Sequence, residues 1–271
     1  MERLQTAIEK AHRQAVHLTP QILQDHSDHD IAARWRGLSP IDLPLNLLRR
    51  NRIYAIEAGH EAISFDILRT RTLRYMQQRG WTRLAITSPT PACGKSTLSL
   101  NLAFAVAREA NTRAIQIELD MRQPSQEKAL GIHRGPHGIN LSGFFSGVLP
   151  FHEVAWRHGE RLAGVTNSEC LENASDLLLG AKVGDVLQQV QDSYRPDIMI
   201  FDMPPMLIND DTLAFTRHVD CVLIVAAAEH SKIGQIEQCE RQLADQTNIL
   251  GVVLNKCRLT SQGGPSGHTY N

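Results

Sequence analysis

The chain has 271 residues, 42% hydrophobic and 21% charged, which allows one large α/β domain with an extension or two small domains. Lys plus Arg number 28 against 29 Asp plus Glu, so no global charge argues for nucleic acid or acidic lipid as a partner. The opening MERLQTAIEKAHRQ is too polar for a signal peptide and no apolar run reaches the roughly 18 residues of a membrane span, so a cytoplasmic protein is expected.

Residues 1–16 place Leu4, Ile8, Ala11 and Ala15 on one helical face, a short packing or partner-binding helix. Asp25-His26-Ser27-Asp28-His29-Asp30 reads as a polar loop rather than a metal site, since no further ligand spacing supports it. Residues 17–48 have weak periodicity and are expected to be extended and partly irregular; Arg49-Arg50-Asn51-Arg52 reads as a solvated basic face. From residue 60 a helix is expected, with Ile63, Ile67, Leu68 and Leu73 at helical spacing and Gly80 ending it.

Beyond Gly80, strand and helix signals alternate. Short apolar runs occur at 83–87, 113–119, 161–166, 197–203, 221–228 and 248–255, with helical patterns at 95–110, 175–194 and 231–246. Such alternation predicts a three-layer α/β fold, a mostly parallel central sheet with helices on both faces. The tail from Thr260 to Asn271 is rich in Gly, Ser and Pro and is expected to be disordered. The expected division is an N-terminal extension over 1–59, a nucleotide-binding domain over 60–258 and a tail over 259–271. Five scattered cysteines (93, 170, 221, 239 and 257) suggest neither a disulfide framework nor a zinc site.

The stretch SPTPACGKST, residues 88–97, links the run at 83–87 to the helical pattern that starts at Lys95. A phosphate-binding loop needs this context: backbone N–H groups and the helix dipole face the phosphates. Lys95 can reach the β- and γ-phosphates of ATP and the Ser96 hydroxyl can ligate Mg²⁺. Pro91, Ala92, Cys93, Gly94 and Thr97 complete the nucleotide-binding loop. Two more strands end in acids: Glu118 and Asp120 after one, Asp202 after the other, before Pro204-Pro205. In parallel α/β sheets ligands sit beyond the carboxyl ends of the strands, so all three acids are expected at one crevice with Lys95.

These residues resemble the bacterial tyrosine kinases of capsule and exopolysaccharide export, a P-loop class shared with division-site and plasmid-partition ATPases. The resemblance covers roughly residues 60–258. The family's SPxPGEGKST is matched by SPTPACGKST, its DxDxRxP by Glu118-Leu119-Asp120-Met121-Arg122-Gln123-Pro124, and its DxPP by Asp202-Met203-Pro204-Pro205. Asn173 to Leu178 is similar to the family's NPSELL, and Gly251 to Asn255 to its last strand, whose Asn lies near the base. The resemblance implies transfer of the ATP γ-phosphoryl group to tyrosine hydroxyls, with Lys95, Glu118, Asp120 and Asp202 catalytic and Ser96, Asp120 and Asp202 serving the metal. It also implies a separate membrane adaptor that recruits the protein to the inner face of the plasma membrane, and a possible homo-oligomer. The division of labour between Glu118 and Asp120 stays open. So do two other readings: a nucleotide-binding regulator without kinase activity, and a partition-type ATPase switch.

The departures from the family are local. Ala92 stands where the family has Gly, and a left-handed backbone there would cost an alanine about 1–2 kcal/mol. Cys93 replaces Glu beside a helix N-terminus and a lysine, which would favour its thiolate. Glu118 replaces the first Asp. The family's ExxRxxR, associated with ring assembly, falls on Ile63, Asp66 and Arg69, so only the last Arg is kept. The tail holds Tyr270 alone where the family has a tyrosine cluster.

Overall fold

The computed structural model describes residues 28–133 and 141–257. Eight strands form one sheet: β1 (Ser39–Pro40), β2 (Arg83–Thr87), β3 (Ala114–Glu118), β4 (Trp156–His158), β5 (Leu162–Val165), β6 (Ile198–Asp202), β7 (Cys221–Ala227) and β8 (Asn248–Asn255). Their order is β1-β4-β5-β3-β6-β2-β7-β8, and every neighbouring pair is parallel except β4 with β5. The interior strands β2, β3, β6 and β7 are buried along almost their whole length, which is why they read as continuous apolar runs. The edge strand β8 is half-exposed, and Val252 and Leu254 face outward.

One face of the sheet is covered by α2 (Leu45–Arg50), α3 (Ile63–Gln77), α4 (Lys95–Arg108) and α5 (Gln126–Leu130). The other carries α1 (described over 28–36), α6 (Leu141–Phe145), α7 (Phe151–Val154), α8 (Ala174–Leu178), α9 (Val183–Tyr194), α10 (Asp211–Phe215) and α11 (Ile233–Ala244). Helix α4 is the most buried: ten of its side chains, Lys95 among them, are closed to solvent. Gly164 of β5 leaves room for the Trp156 ring, which lies where a Cβ would stand.

The segment expected to be irregular carries two helices and a strand. Ile31 and Trp35 of α1 and Leu38 after it are buried against the sheet, and the Trp35 indole donates to the Tyr194 carbonyl at 2.8 Å. Asp28, His29 and Asp30 lie in α1 rather than in a polar loop. The helix expected over 175–194 is split at Gly180 into α8 and α9. The helix expected over residues 1–16 and the tail lie outside the described residues. No described helix is long and apolar enough to cross a membrane.

Candidate active site

The sheet brings the sequence-predicted residues together through register. Glu118 and Ile86 both pair with Asp202, so these three side chains share the face that α4 covers. The loop between β2 and α4 is tied at its root. The N–H groups of Met203, Met206 and Leu207 donate to the carbonyls of Ile86, Ser88 and Pro89, and the Thr87 hydroxyl donates to the Pro204 carbonyl at 2.7 Å. Pro204 and Pro205 thus end β6 and present a carbonyl to the loop.

Gly94 precedes α4 with φ +88, and a Cβ there would collide with the Asn255 amide. Ala92 has φ +61, the left-handed conformation that its family glycine suggests. Cys93 is closed to solvent, though thinly covered. Burial would raise its thiol pKa, but hydrogen bonds shared with Ser231 (3.5 Å) and Thr90 (3.6 Å) outweigh it and bring the thiol below its ordinary value. The neighbouring lysine, one of the two expected causes beside the helix N-terminus, is not among those that lower it. Pro91 is exposed at the mouth of the loop, and Thr97 is half-buried in the first turn of α4.

Lys95 lies at the centre. Its buried ammonium donates to Asp120 Oδ2 at 2.6 Å, stands 3.8 Å from Asp202 Oδ1 and reaches Ser96 Oγ at 3.4 Å. Burial would lower its pKa, but the charges of Asp202 and Asp120 more than offset that and raise it, so the lysine stays protonated. Asp202 is fully buried, and burial pushes its pKa up against the pull of Lys95. Its Oδ2 accepts from Gln126 Nε2 at 2.8 Å, while its Oδ1 is buried beside the Ser96 hydroxyl, at ion-pair distance from Lys95.

Glu118 and Asp120 occupy different places. Glu118 Oε1 accepts the N–H groups of Ser125 (2.6 Å) and Gln126 (2.9 Å), and Oε2 accepts that of Asn167 (3.1 Å). Its extra methylene carries the carboxylate to the start of α5, and burial pushes its pKa up to about 7. Asp120, just past the end of β3, is the acid that meets Lys95, and Gln123 N–H donates to its other oxygen at 3.2 Å. Arg122 holds the buried Asp211 with two hydrogen bonds of 2.8 and 3.0 Å, linking the loop after β3 to α10. Three groups around the loop carried no sequence signal of their own: Gln126, Ser231 and Lys256, whose Nζ donates to the Ala92 carbonyl at 2.6 Å. Asn255 was expected near the base; its amide donates to the Cys93 carbonyl at 2.9 Å.

EpsB of Ralstonia solanacearum, which bears the name "Putative tyrosine-protein kinase EpsB", is 31% identical over 246 residues, covering 87% of this chain and 32% of that protein. Tyrosine-protein kinase CpsD of Streptococcus pneumoniae is 29% identical over 64% of this chain and 75% of its own length. The kinase domain of Escherichia coli tyrosine kinase ETK superposes with a TM-score of 0.66 at 25% identity, over 78% of this chain and 82% of that one. Its homologues are bacterial tyrosine-protein kinases of the capsule and exopolysaccharide type, and its structural neighbours include their kinase domains. No protein-family model matches it. It spans about a third or less of the first relatives it matches. The fold extends beyond these kinases: a cobyrinic acid a,c-diamide synthase from Mycobacterium smegmatis, solved with an ATP analog and magnesium, superposes at a TM-score of 0.54 and 20% identity.

The ring-motif positions can now be placed. Asp66 pairs with Arg69 and Arg108, and Arg69 also reaches Glu109 and the Ala105 carbonyl, so both side chains pin α3 to α4 within one molecule. Ile63, at the motif's first position, is exposed.

Proposed function

We propose that the chain is an ATP-dependent protein-tyrosine kinase acting in capsule or exopolysaccharide synthesis, working with a separate membrane adaptor that brings it to the membrane. The observation that carries this reading is the buried Lys95 ammonium, held by Asp120 and Asp202 at the N-terminus of α4. Phosphoryl transfer needs positioning and charge neutralisation more than covalent chemistry, and this arrangement supplies both.

Magnesium fits the site. The buried Asp202 Oδ1 beside Ser96 makes no hydrogen bond of good geometry and has lone pairs left for a cation, and Asp120 lies within the same cluster around Lys95. Among the described residues no three His, Cys, Asp or Glu side chains form a metal cage, so Ser96 would be the direct protein ligand and phosphate oxygens and water would fill most of the shell. The ion, when bound, neutralises phosphate charge. Lys95 would leave Asp120 for the β- and γ-phosphates, freeing a carboxylate to orient or deprotonate the tyrosine hydroxyl. Glu118 supports from behind by fixing the start of α5, from which Gln126 holds Asp202.

Purified protein with Mg-ATP, tested with and without the adaptor's cytoplasmic segment, should acquire phosphotyrosine that disappears in Lys95→Met, as read by mass spectrometry. Hydrolysis linked to dimerisation without phosphotyrosine would replace this reading with an ATPase switch. Nucleotide binding alone would replace it with a regulator lacking kinase activity.

A further inference from the structure

Ala92 holds a left-handed backbone that is unfavourable for a residue with a Cβ, at a position exposed to solvent. Something must keep it there. Two consecutive side chains at the end of β8 reach the loop from 162 and 164 residues away: Asn255 Nδ2 donates to the Cys93 carbonyl at 2.9 Å, and Lys256 Nζ donates to the Ala92 carbonyl at 2.6 Å. Lys256 is itself left-handed, at φ +59, and its N–H donates to Asn255 Oδ1 at 2.8 Å, which locks the two residues together.

The peptide plane makes these contacts directional. In a trans peptide the carbonyl of one residue and the N–H of the next point opposite ways. Fixing the Ala92 carbonyl on Lys256 therefore fixes the Cys93 N–H away from β8, and fixing the Cys93 carbonyl on Asn255 does the same for the Gly94 N–H. Successive amides aimed together at a helix start form an anion-binding concavity. Gly94 admits this approach because it has no Cβ to strike Asn255.

We propose that Lys256 is a positioning residue for the phosphates of a nucleoside triphosphate: its ammonium straps the Ala92 peptide, holding the Cys93 amide in its phosphate-binding orientation despite the alanine. The inference rests on the nucleotide-binding part of the proposed function. It makes Ala92 and Lys256 an interdependent pair, since a glycine at 92 would hold the same conformation with less help.

The test is a double-mutant cycle on the full chain, with Mg-ATP affinity read by calorimetry. Lys256→Met should weaken binding by roughly three- to tenfold, the range for a charged hydrogen bond discounted for exposure. Lys256→Arg should restore most of it, and the loss should shrink to less than about twofold in an Ala92→Gly background. Equal losses in both backgrounds, or no loss in either, overturn the proposal. If the unaltered chain binds no Mg-ATP, the nucleotide reading itself fails, and the strap is judged by hydrogen exchange in the nucleotide-free chain. Faster exchange at the Cys93 and Gly94 amides in Lys256→Met supports the strap; unchanged exchange overturns it.

Discussion

Glu118 shows how one methylene redirects an acid. From the sequence it stands beside Asp120 as an equal candidate for metal or base, because both follow the same strand. The fold separates them: Asp120 faces Lys95, whereas the Glu118 carboxylate is filled by three backbone N–H donors from residues 125, 126 and 167. Backbone N–H contacts leave no side-chain pattern in the sequence, whether from the following loop, as with Ser125 and Gln126, or from 49 residues away, as with Asn167. Glu118→Gln keeps shape but turns an amide N–H toward at least one of those donors. It should cost about 1–3 kcal/mol in urea denaturation. A change under about 0.5 kcal/mol would mean that the three contacts contribute nothing net. Cys93 follows the same lesson in part: besides Thr90 of its own loop, its thiol meets Ser231, 138 residues away in sequence.

At the scale of elements, the interior strands were legible to within a residue or two because burial on both faces demands an unbroken apolar run. The short pieces were not: β1 has two residues and β4 three, too few for any period to register. Helix α3 was legible in existence but not in orientation. Ile63, Ile67, Leu68 and Leu73 suggested the buried stripe, yet Thr72, Leu73 and Met76 are the buried side chains and Ile63 and Ile67 are about half exposed. The reason is the paired charges. Asp66 and Arg69 turn inward to Arg108, Glu109 and the Ala105 carbonyl, which rotates the isoleucines outward. Leu73→Ala should therefore cost about 2–5 kcal/mol. Ile67→Ala should stay within about 0.5 kcal/mol. Chemical denaturation of the two variants measures both, and the reverse order would restore the stripe read from sequence. Helix β-sheet contact adds a pH term: His158 of β4 packs edge-on against Phe104 of α4, and burial lowers its pKa against a smaller opposing pull from Asp42. The unfolded chain then takes up the proton first, so this contribution is complete above about pH 6.5 and is lost as pH falls below it. His158→Phe should flatten the acid side of the stability curve; an unaltered slope would remove His158 as a cause.

Across the whole molecule, the sheet places the Lys95 cluster at one end and an exposed tyrosine at the other. Tyr194 is buried and Tyr54 half-buried, whereas Tyr75 is 39% exposed, the most open of the described tyrosines. It sits in the last turn of α3, its ring 6.1 Å from Trp81 and 3.7 Å beneath the Arg79 guanidinium, with Arg71 and Arg74 nearby on the same helix. Arginines there would meet a new phosphate with charge-assisted hydrogen bonds. Trp81 leads into the start of β2, while the phosphate-binding loop leaves its far end, five residues and about 17 Å away. A molecule's own Lys95 therefore stands at the opposite end of the sheet from its own Tyr75, and under the proposed kinase function transfer to that hydroxyl would require a second molecule. Mixing an active Tyr75→Phe chain with an inactive Lys95→Met chain separates donor from acceptor. Phosphate should appear at Tyr75 of the inactive chain at a rate that rises with the concentration of the active one. Phosphate confined to Tyr270, or label at Tyr75 whose rate ignores dilution of the unaltered protein, would place the acceptor elsewhere or the transfer within one molecule.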